Sequence, residues 1–237
     1  MESLTAVHLV TLDCEALSVR EINRVLRALP DGSEVRLVAP RGRHNLAVGI
    51  EHPLSITIDG NAGYFIGGLG GSRTGGPSIT VDGFVGWSVG ENLMGGTIRI
   101  RGSASQSAGA SACGGTIVVE GDASLRAGIS LKGGTVAVAG DAGAMSGFMA
   151  QAGTILIGGN AGAGLGDSLY EAVIYVAGRI DSLGADARVE ELTEDDVDAV
   201  KSLVAQTGFD HIAPGDVTRV GSARQLYHFR SEHHGAY

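Results

Sequence analysis

A residue pattern recurs through the middle of the chain with a fixed period. It reads Ile-x-Val-x-Gly-(Asp/Asn)-Ala-(Gly/Ser), and Gly-Gly-Thr often closes the unit. Copies start at Ile98, Ile117, Val136, Ile155 and Ile174, each 19 residues after the last. Two earlier copies start at Ile56 and Ile79, which lie 23 residues apart, and 19 more lead to Ile98. A unit this short cannot bury its own apolar face, so successive units must stack on one another.

Within each copy the first and third positions are β-branched: Ile56/Ile58, Ile79/Val81, Ile98/Ile100, Ile117/Val119, Val136/Val138, Ile155/Ile157 and Ile174/Val176. Alternation puts both on one face of a strand. Glycines recur in phase at 60, 83, 102, 121, 140, 159 and 178, and again at 67, 90, 109, 128, 147 and 166. Glycine at fixed phase marks sharp corners. Leu93, Ala112, Leu131, Ala150 and Leu169 form a second recurrent apolar column. The expected fold is mainly β: a right-handed parallel β-helix of about seven coils at 19 residues each. At about 4.8 Å per coil it is roughly 30 Å long.

Three regions follow. Residues 1–50 read as a strand-helix-strand cap, residues 51–181 as the β-helix, and residues 182–237 as a C-terminal helix and docking tail. In the first, Val7, Leu9 and Thr11 alternate like a strand. Ser18 and Glu21 form a capping box for a helix with Ile22, Val25, Leu26 and Leu29 on one face, stopped by Pro30. Val35–Val38 reads as an imperfect first coil. In the third, Thr193 caps a helix from Glu194 to about Gln206, and Gly208 ends it. Phe209, Ile212, Leu226, Tyr227 and Phe229 make the remaining tail too apolar to stay solvated, and suit it to shield the end of the stack.

The outward strand positions change along the stack. Thr57/Asp59, Thr80/Asp82, Arg99/Arg101 and Val118/Glu120 look solvated for the most part, whereas Ala137/Ala139, Leu156/Gly158 and Tyr175/Ala177 look covered. The cover is either the C-terminal segment or another subunit, and Leu156 and Tyr175 are candidate contact residues.

Several function classes recede. A net charge of -9 argues against binding a phosphate backbone. No apolar run approaches the roughly 20 residues of a membrane helix, and Met1–Leu12 lacks the form of a signal peptide, so a cytoplasmic location is expected. Cys14 and Cys113 are too few for a disulfide framework or a cysteine metal site. His44, His52, His211, His228, His233 and His234 show no ligand spacing, so no metal site is assigned. Gly162-Ala163-Gly164-Leu165-Gly166 lacks the helix a dinucleotide fingerprint needs and fits solenoid corners instead. The glycines between 67 and 76 fall in the insertion between the first two copies and read as a flexible surface loop. Asp122, Asp141 and Asn160 stack in phase. A carboxylate pair for sugar chemistry is one reading, and a cap that each provides to its own turn is the better one, because the residue type recurs. No catalytic or cofactor-binding residue is assigned to the chain.

One column escapes the small-residue monotony. Met94, Lys132, Gln151 and Tyr170 share the phase of Cys113, with Glu91, Asn92, Phe148, Met149 and Asp167 nearby. Large, varied side chains on a regular face suit contact with a partner protein.

The chain resembles the GXGXG domain of glutamate synthase large subunits, and more closely the stand-alone subunits built from that domain. The stretches that carry this are Gly42-Arg43-His44-Asn45-Leu46-Ala47, Gly90-Glu91-Asn92-Leu93-Met94-Gly95-Gly96-Thr97, Gln106-Ser107-Ala108-Gly109-Ala110, Gly147-Phe148-Met149-Ala150-Gln151-Ala152-Gly153 and Leu165-Gly166-Asp167-Ser168-Leu169-Tyr170-Glu171-Ala172. They look like the small middle subunit of N-methylglutamate synthases. The resemblance implies a non-catalytic scaffold in a hetero-oligomer. Its partners would be a class-II glutamine amidotransferase-like subunit and an FMN-binding synthase-like subunit, with FMN on the partner and none on this chain. It implies a complex that makes N-methylglutamate from methylamine and glutamate. A plain glutamate synthase stands close behind. The β-helix subunits of formyltransferase/hydrolase and formylmethanofuran dehydrogenase complexes share the repeat, and an independent carbohydrate-active β-helix is a further alternative.

Overall fold

The computed structural model describes residues 9–224. Its centre is a ladder of inward β-branched side chains. From Ile56 to Val176, the first- and third-position residues of every copy are at most 1% exposed. They sit on seven short strands: β3 (Ser55–Ile58), β4 (Ser78–Val81), β5 (Thr97–Ile100), β6 (Thr116–Val119), β7 (Lys132–Val138), β8 (Ala152–Ile157) and β9 (Val173–Val176). These run parallel and in register, so that Ile56, Ile79, Ile98, Ile117, Val136, Ile155 and Ile174 pair in succession. The stack starts earlier than residue 51. β2 (Glu34–Val38) pairs parallel with β3, and β1 (Leu9–Asp13) pairs parallel with β2. The parallel β-solenoid therefore has about eight turns from β2 to β9.

Each turn holds left-handed backbone at alternate residues: Ser107, Gly109 and Ser111 in one coil, Arg126, Gly128 and Ser130 in the next. From Gly67 to Gly166 the middle position is always glycine, and packing explains it in these two coils. A Cβ on Gly109 would lie 2.5 Å from Val136 Cγ2, and one on Gly128 would lie 2.5 Å from Ile155 Cδ1. The flanking positions here carry Ser107, Ser111, Arg126 and Ser130 in left-handed backbone, at about 1–2 kcal/mol of strain each. The second inward column, Leu93, Ala112, Leu131, Ala150 and Leu169, is buried as expected.

The expected Asx caps have a different target. Asp122 Oδ1 accepts from the backbone N–H of Asp141 at 2.8 Å, Asp141 Oδ1 from Asn160 at 2.6 Å, and Asn160 Oδ1 from Arg179 at 3.0 Å. Each residue thus caps the turn of the following coil, not its own. Its side chain lies where a Cβ on Gly140 or Gly159 would fall, which is why glycine precedes the Asx residue there. Within the 67–76 stretch, expected as a flexible loop, Gly67 to Gly71 keep the coil's bonds and the extra residues form a tight hairpin at Ser72–Gly75. Ser72 and Gly75 exchange backbone hydrogen bonds at 2.6 and 3.2 Å, and Gly71 packs on the Gly95 backbone too closely for any side chain.

Both ends of the stack are capped. Between β1 and β2 the chain forms α1 (Val19–Ala28), with the Ser18/Glu21 capping box in place. Ile22 and Leu26 enter the core, Asn23 Nδ2 donates to Asn45 O at 2.8 Å, and Arg27 donates to Val48 O at 3.0 Å. β1 turns the opposite face inward from that expected: Leu12 is buried and Val10 packs on the core, while Leu9 is 67% exposed. Val7 lies outside the described residues. At the other end, two strands absent from the sequence reading appear. β11 (Thr218–Ser222) pairs antiparallel with β9, and β10 (Ala187–Glu190) pairs antiparallel with β11. They close the eleven-stranded sheet. Leu226, Tyr227, Phe229, His228, His233 and His234 lie outside the described residues.

Between these strands runs α2 (Glu194–Thr207), capped by Thr193 and ended by left-handed Gly208. It lies across the outward face of the late coils. Val200, Phe209, Ile212 and Val217 form a second core with Val118, Ala137, Leu156 and Tyr175. Tyr175 Oη donates to Asp196 Oδ1 at 2.6 Å, and Arg219 Nε donates to the same oxygen at 2.9 Å. Arg99, expected in solvent, donates to Thr207 O at 3.1 Å from each terminal nitrogen and so caps the C-terminus of α2.

Candidate partner interface

The solenoid gathers nine of the eleven candidate residues onto one corner, along three adjacent lines. Met94, Lys132, Gln151 and Tyr170 form one line with Cys113. In each the backbone N–H donates to the coil before: Cys113 to Leu93 O, Lys132 to Ala112 O, Gln151 to Leu131 O and Tyr170 to Ala150 O. Asn92 and Met149 lie on the next line, both in left-handed backbone. Glu91, Phe148 and Asp167 make the third; the second line donates to the third line of the following coil, Asn92 N to Ala110 O at 2.9 Å and Met149 N to Asp167 O at 2.8 Å. At Asn92 and Met149 the left-handed backbone carries the side chain outward, two residues after Gly90 and Gly147, which face the core.

Met94, Lys132, Met149, Gln151 and Tyr170 are exposed, and Glu91, Asn92 and Phe148 are half-buried. Arg224 sits 5.0 Å from the centre of the Tyr170 ring, held by Asp186 at 2.6 Å. Asp167 already has structural work: its carboxylate accepts from Ser168 Oγ at 3.0 Å and from Ala185 N at 3.1 Å. Leu156 and Tyr175 do not belong to this corner. Both are buried under α2, so the chain's own C-terminal segment covers them and leaves them out of reach of a partner. Burial, and then the hydrogen bond to Asp196, push the Tyr175 phenol above its ordinary range.

The other titratable residues are dispersed. Cys14 is buried in the N-terminal core, and burial pushes its thiol up. Cys113 is exposed, with Ser111 O at 3.5 Å from its sulfur. His211 Nε2 lies 3.1 Å from Ala139 O. Among the described residues no three His, Cys, Asp or Glu side chains cluster as metal ligands, and no helix is long and apolar enough to cross a membrane.

A second exposed cluster was not singled out from the sequence. On a different line of the coil, His44, Tyr64 and Trp87 occupy equivalent positions in successive turns. The His44 and Tyr64 rings stack at 3.5 Å and 16°, and Tyr64 and Trp87 lie 6.4 Å apart. With Phe84 they wall a groove of about 750 Å³ floored by Ala62, Gly63, Val85, Gly86 and Ala104. The signal for it was the phase itself, since the same position holds Ala144 and Ala163 in later coils.

The fold and its surfaces define a capped parallel β-solenoid with two exposed side-chain corners. Comparison with models of known protein families gives no match. Over 229 residues the chain is 48% identical to Protein GlxC of Rhizobium meliloti (strain 1021), covering 95% of this chain and 99% of that protein. The chain belongs to the GlxC family.

Proposed function

We propose that this chain is the structural subunit of a glutamate-synthase-like complex that makes N-methylglutamate from methylamine and glutamate. It holds a class-II glutamine amidotransferase-like subunit and an FMN-binding synthase-like subunit in register, and lines part of the route for ammonia or methylamine between them. FMN resides on the synthase-like subunit. The reading rests on the resemblance of the corner stretches to subunits of that kind and on the near full-length likeness to GlxC. The observation that carries it is the corner itself. Side chains as unlike as Met94, Lys132, Gln151 and Tyr170 line up on a repeat otherwise built from small residues. Tyr170 packs against Arg224 of its own chain, but the Met94, Lys132 and Gln151 side chains make no hydrogen bond among the described residues, and an interface gives such variety a use.

Co-expression with the two partner subunits is expected to give a stable yellow complex, while the chain purified alone is colourless and inactive. Failure of the full-length chain to associate with either subunit overturns the reading. The sugar-cleaving alternative is weakened by the occupation of Asp141, which accepts from the Asn160 backbone and side chain at 2.6 and 3.1 Å. Asp141→Asn is expected to lower stability without abolishing any activity of the complex. Loss of activity with stability intact would restore that alternative.

A further inference from the structure

The aromatic groove breaks the rules that the rest of the solenoid obeys. The row Asn61, Phe84, Ser103, Asp122, Asp141 and Asn160 supplies polar side chains that cap the next coil: Asn61 Oδ1 accepts from Phe84 N at 3.1 Å, and Ser103 Oγ from Asp122 N at 3.1 Å. Phe84 cannot cap anything, and it is 53% exposed. Trp87, the single tryptophan of the chain, is 57% exposed, and Tyr64 is 48% exposed. Three large rings held in water around one groove cost hydrophobic free energy that a bound surface recovers. Residues that violate a local rule without structural gain mark function.

The groove carries free donors on its aromatic walls. Of its lining carbonyls, Ala62 O and Gly63 O accept from Gly86 N, Val85 O from Ser105 N and Ala104 O from Ser124 N, while those of Gly42, Gly86 and Ser105 accept no backbone bond among the described residues. His44 Nδ1 accepts from Tyr64 N at 3.1 Å, which leaves the Nε2–H as a donor. Trp87 Nε1–H and Tyr64 O–H add two more, neither bonded to the described residues. A complement to those donors and rings offers carbonyl oxygens and is apolar. It is also linear, because the rings follow the stacking axis at about 4.8 Å per coil. A polyproline-like segment has these properties: exposed carbonyls, and ring faces that pack on aromatic side chains.

We propose that this corner docks an extended, proline-containing segment of a partner subunit. The proposal rests on the reading that the chain works in a hetero-complex, and adds which surface and what kind of segment join it to its neighbour. The test uses the co-expressed complex. A p-benzoylphenylalanine photo-crosslinker is placed at position 84, and the products of illumination are mapped by mass spectrometry. The expected product joins position 84 to an extended proline-containing segment of one partner. In parallel, the Phe84→Ala/Trp87→Ala chain, with unchanged circular dichroism, is expected to hold that partner about tenfold or more weakly. Thr80→Ala serves as the surface control. A complex that forms normally but yields no crosslink, or a crosslink to a helix or to a second copy of this chain, overturns the docking proposal and leaves the complex intact as a reading. If the unaltered chain binds neither partner, the reading fails first and the proposal falls with it.

Discussion

The outward faces of the early and late coils share one inner ladder and differ in almost everything else. In the early coils the outward positions pair across strands in water: Arg36 with Asp59 at 2.5 Å, and Arg101 with Asp82 at 3.3 Å. In the late coils the same positions are Ala137, Leu156 and Tyr175, sealed by α2 and the segment after it. Arg99 stands at the border, pairing with Glu120 at 2.7 Å on one side and holding the end of α2 on the other. The inner positions of a solenoid thus decide that it stacks, and the outer positions decide what lies on it.

The contrast breaks most severely at Leu156. Leu156→Ala is expected to cost about 2–5 kcal/mol by chemical denaturation, since it opens a cavity between sheet and helix. Thr80→Ala, the matching change on the open face, should stay within about 0.5 kcal/mol. Equal losses at the two sites would mean that α2 does not seal the late coils.

The next effect is at the Tyr175–Asp196 bond, where Tyr175→Phe strips one partner from a buried carboxylate and should cost about 1–3 kcal/mol. The same site gives a pH signature. Burial pushes the Asp196 carboxyl up, but the hydrogen bonds from Thr193 and Tyr175 outweigh it and hold the group below its ordinary value. A carboxyl depressed in the folded state stabilises fully above its unfolded value near pH 4, and that stability is lost as pH falls through the lower folded value. Denaturation midpoints of the unaltered chain should therefore drop more steeply below about pH 4 than those of Asp196→Asn. Parallel pH profiles would remove Asp196 from the account.

Arg99→Ala, by freeing the last carbonyls of α2, should cost about 1 kcal/mol. Arg36→Ala, which breaks a pair whose guanidinium is largely solvated and whose Asp59 partner is half-buried, should fall at or below about 1 kcal/mol and weaken in high salt. An Arg36 effect as large as that of Arg99 would erase the distinction between a solvated face and a face that carries a helix.

The coil register, both helix caps and the inward columns could be read from the sequence because each depends on residues a fixed step apart. What escaped depends on partners far along the chain. Arg99 looks solvated until α2 arrives 108 residues later. β10 and β11 carry no repeat, and Val189 is exposed, so only their pairing with β9 makes them strands. The Asx row was visible, but its acceptor geometry runs between coils, which a turn-by-turn reading misses. The candidate corner was legible as a departure from small residues. Leu156 and Tyr175 were legible as covered, and only the three-dimensional path of α2 identified the cover. The aromatic corner was missed because Tyr64 and Trp87 are 23 residues apart and span the insertion.

The inter-coil Asx chain has a consequence for length. Because each Asp or Asn closes the turn that follows, a coil such as residues 121–139 is complete only with its neighbours, and length changes in whole steps of about 4.8 Å. Any two proteins seated on different coils are then spaced in discrete increments. The available positions run between α1 and β10–β11 as end stops.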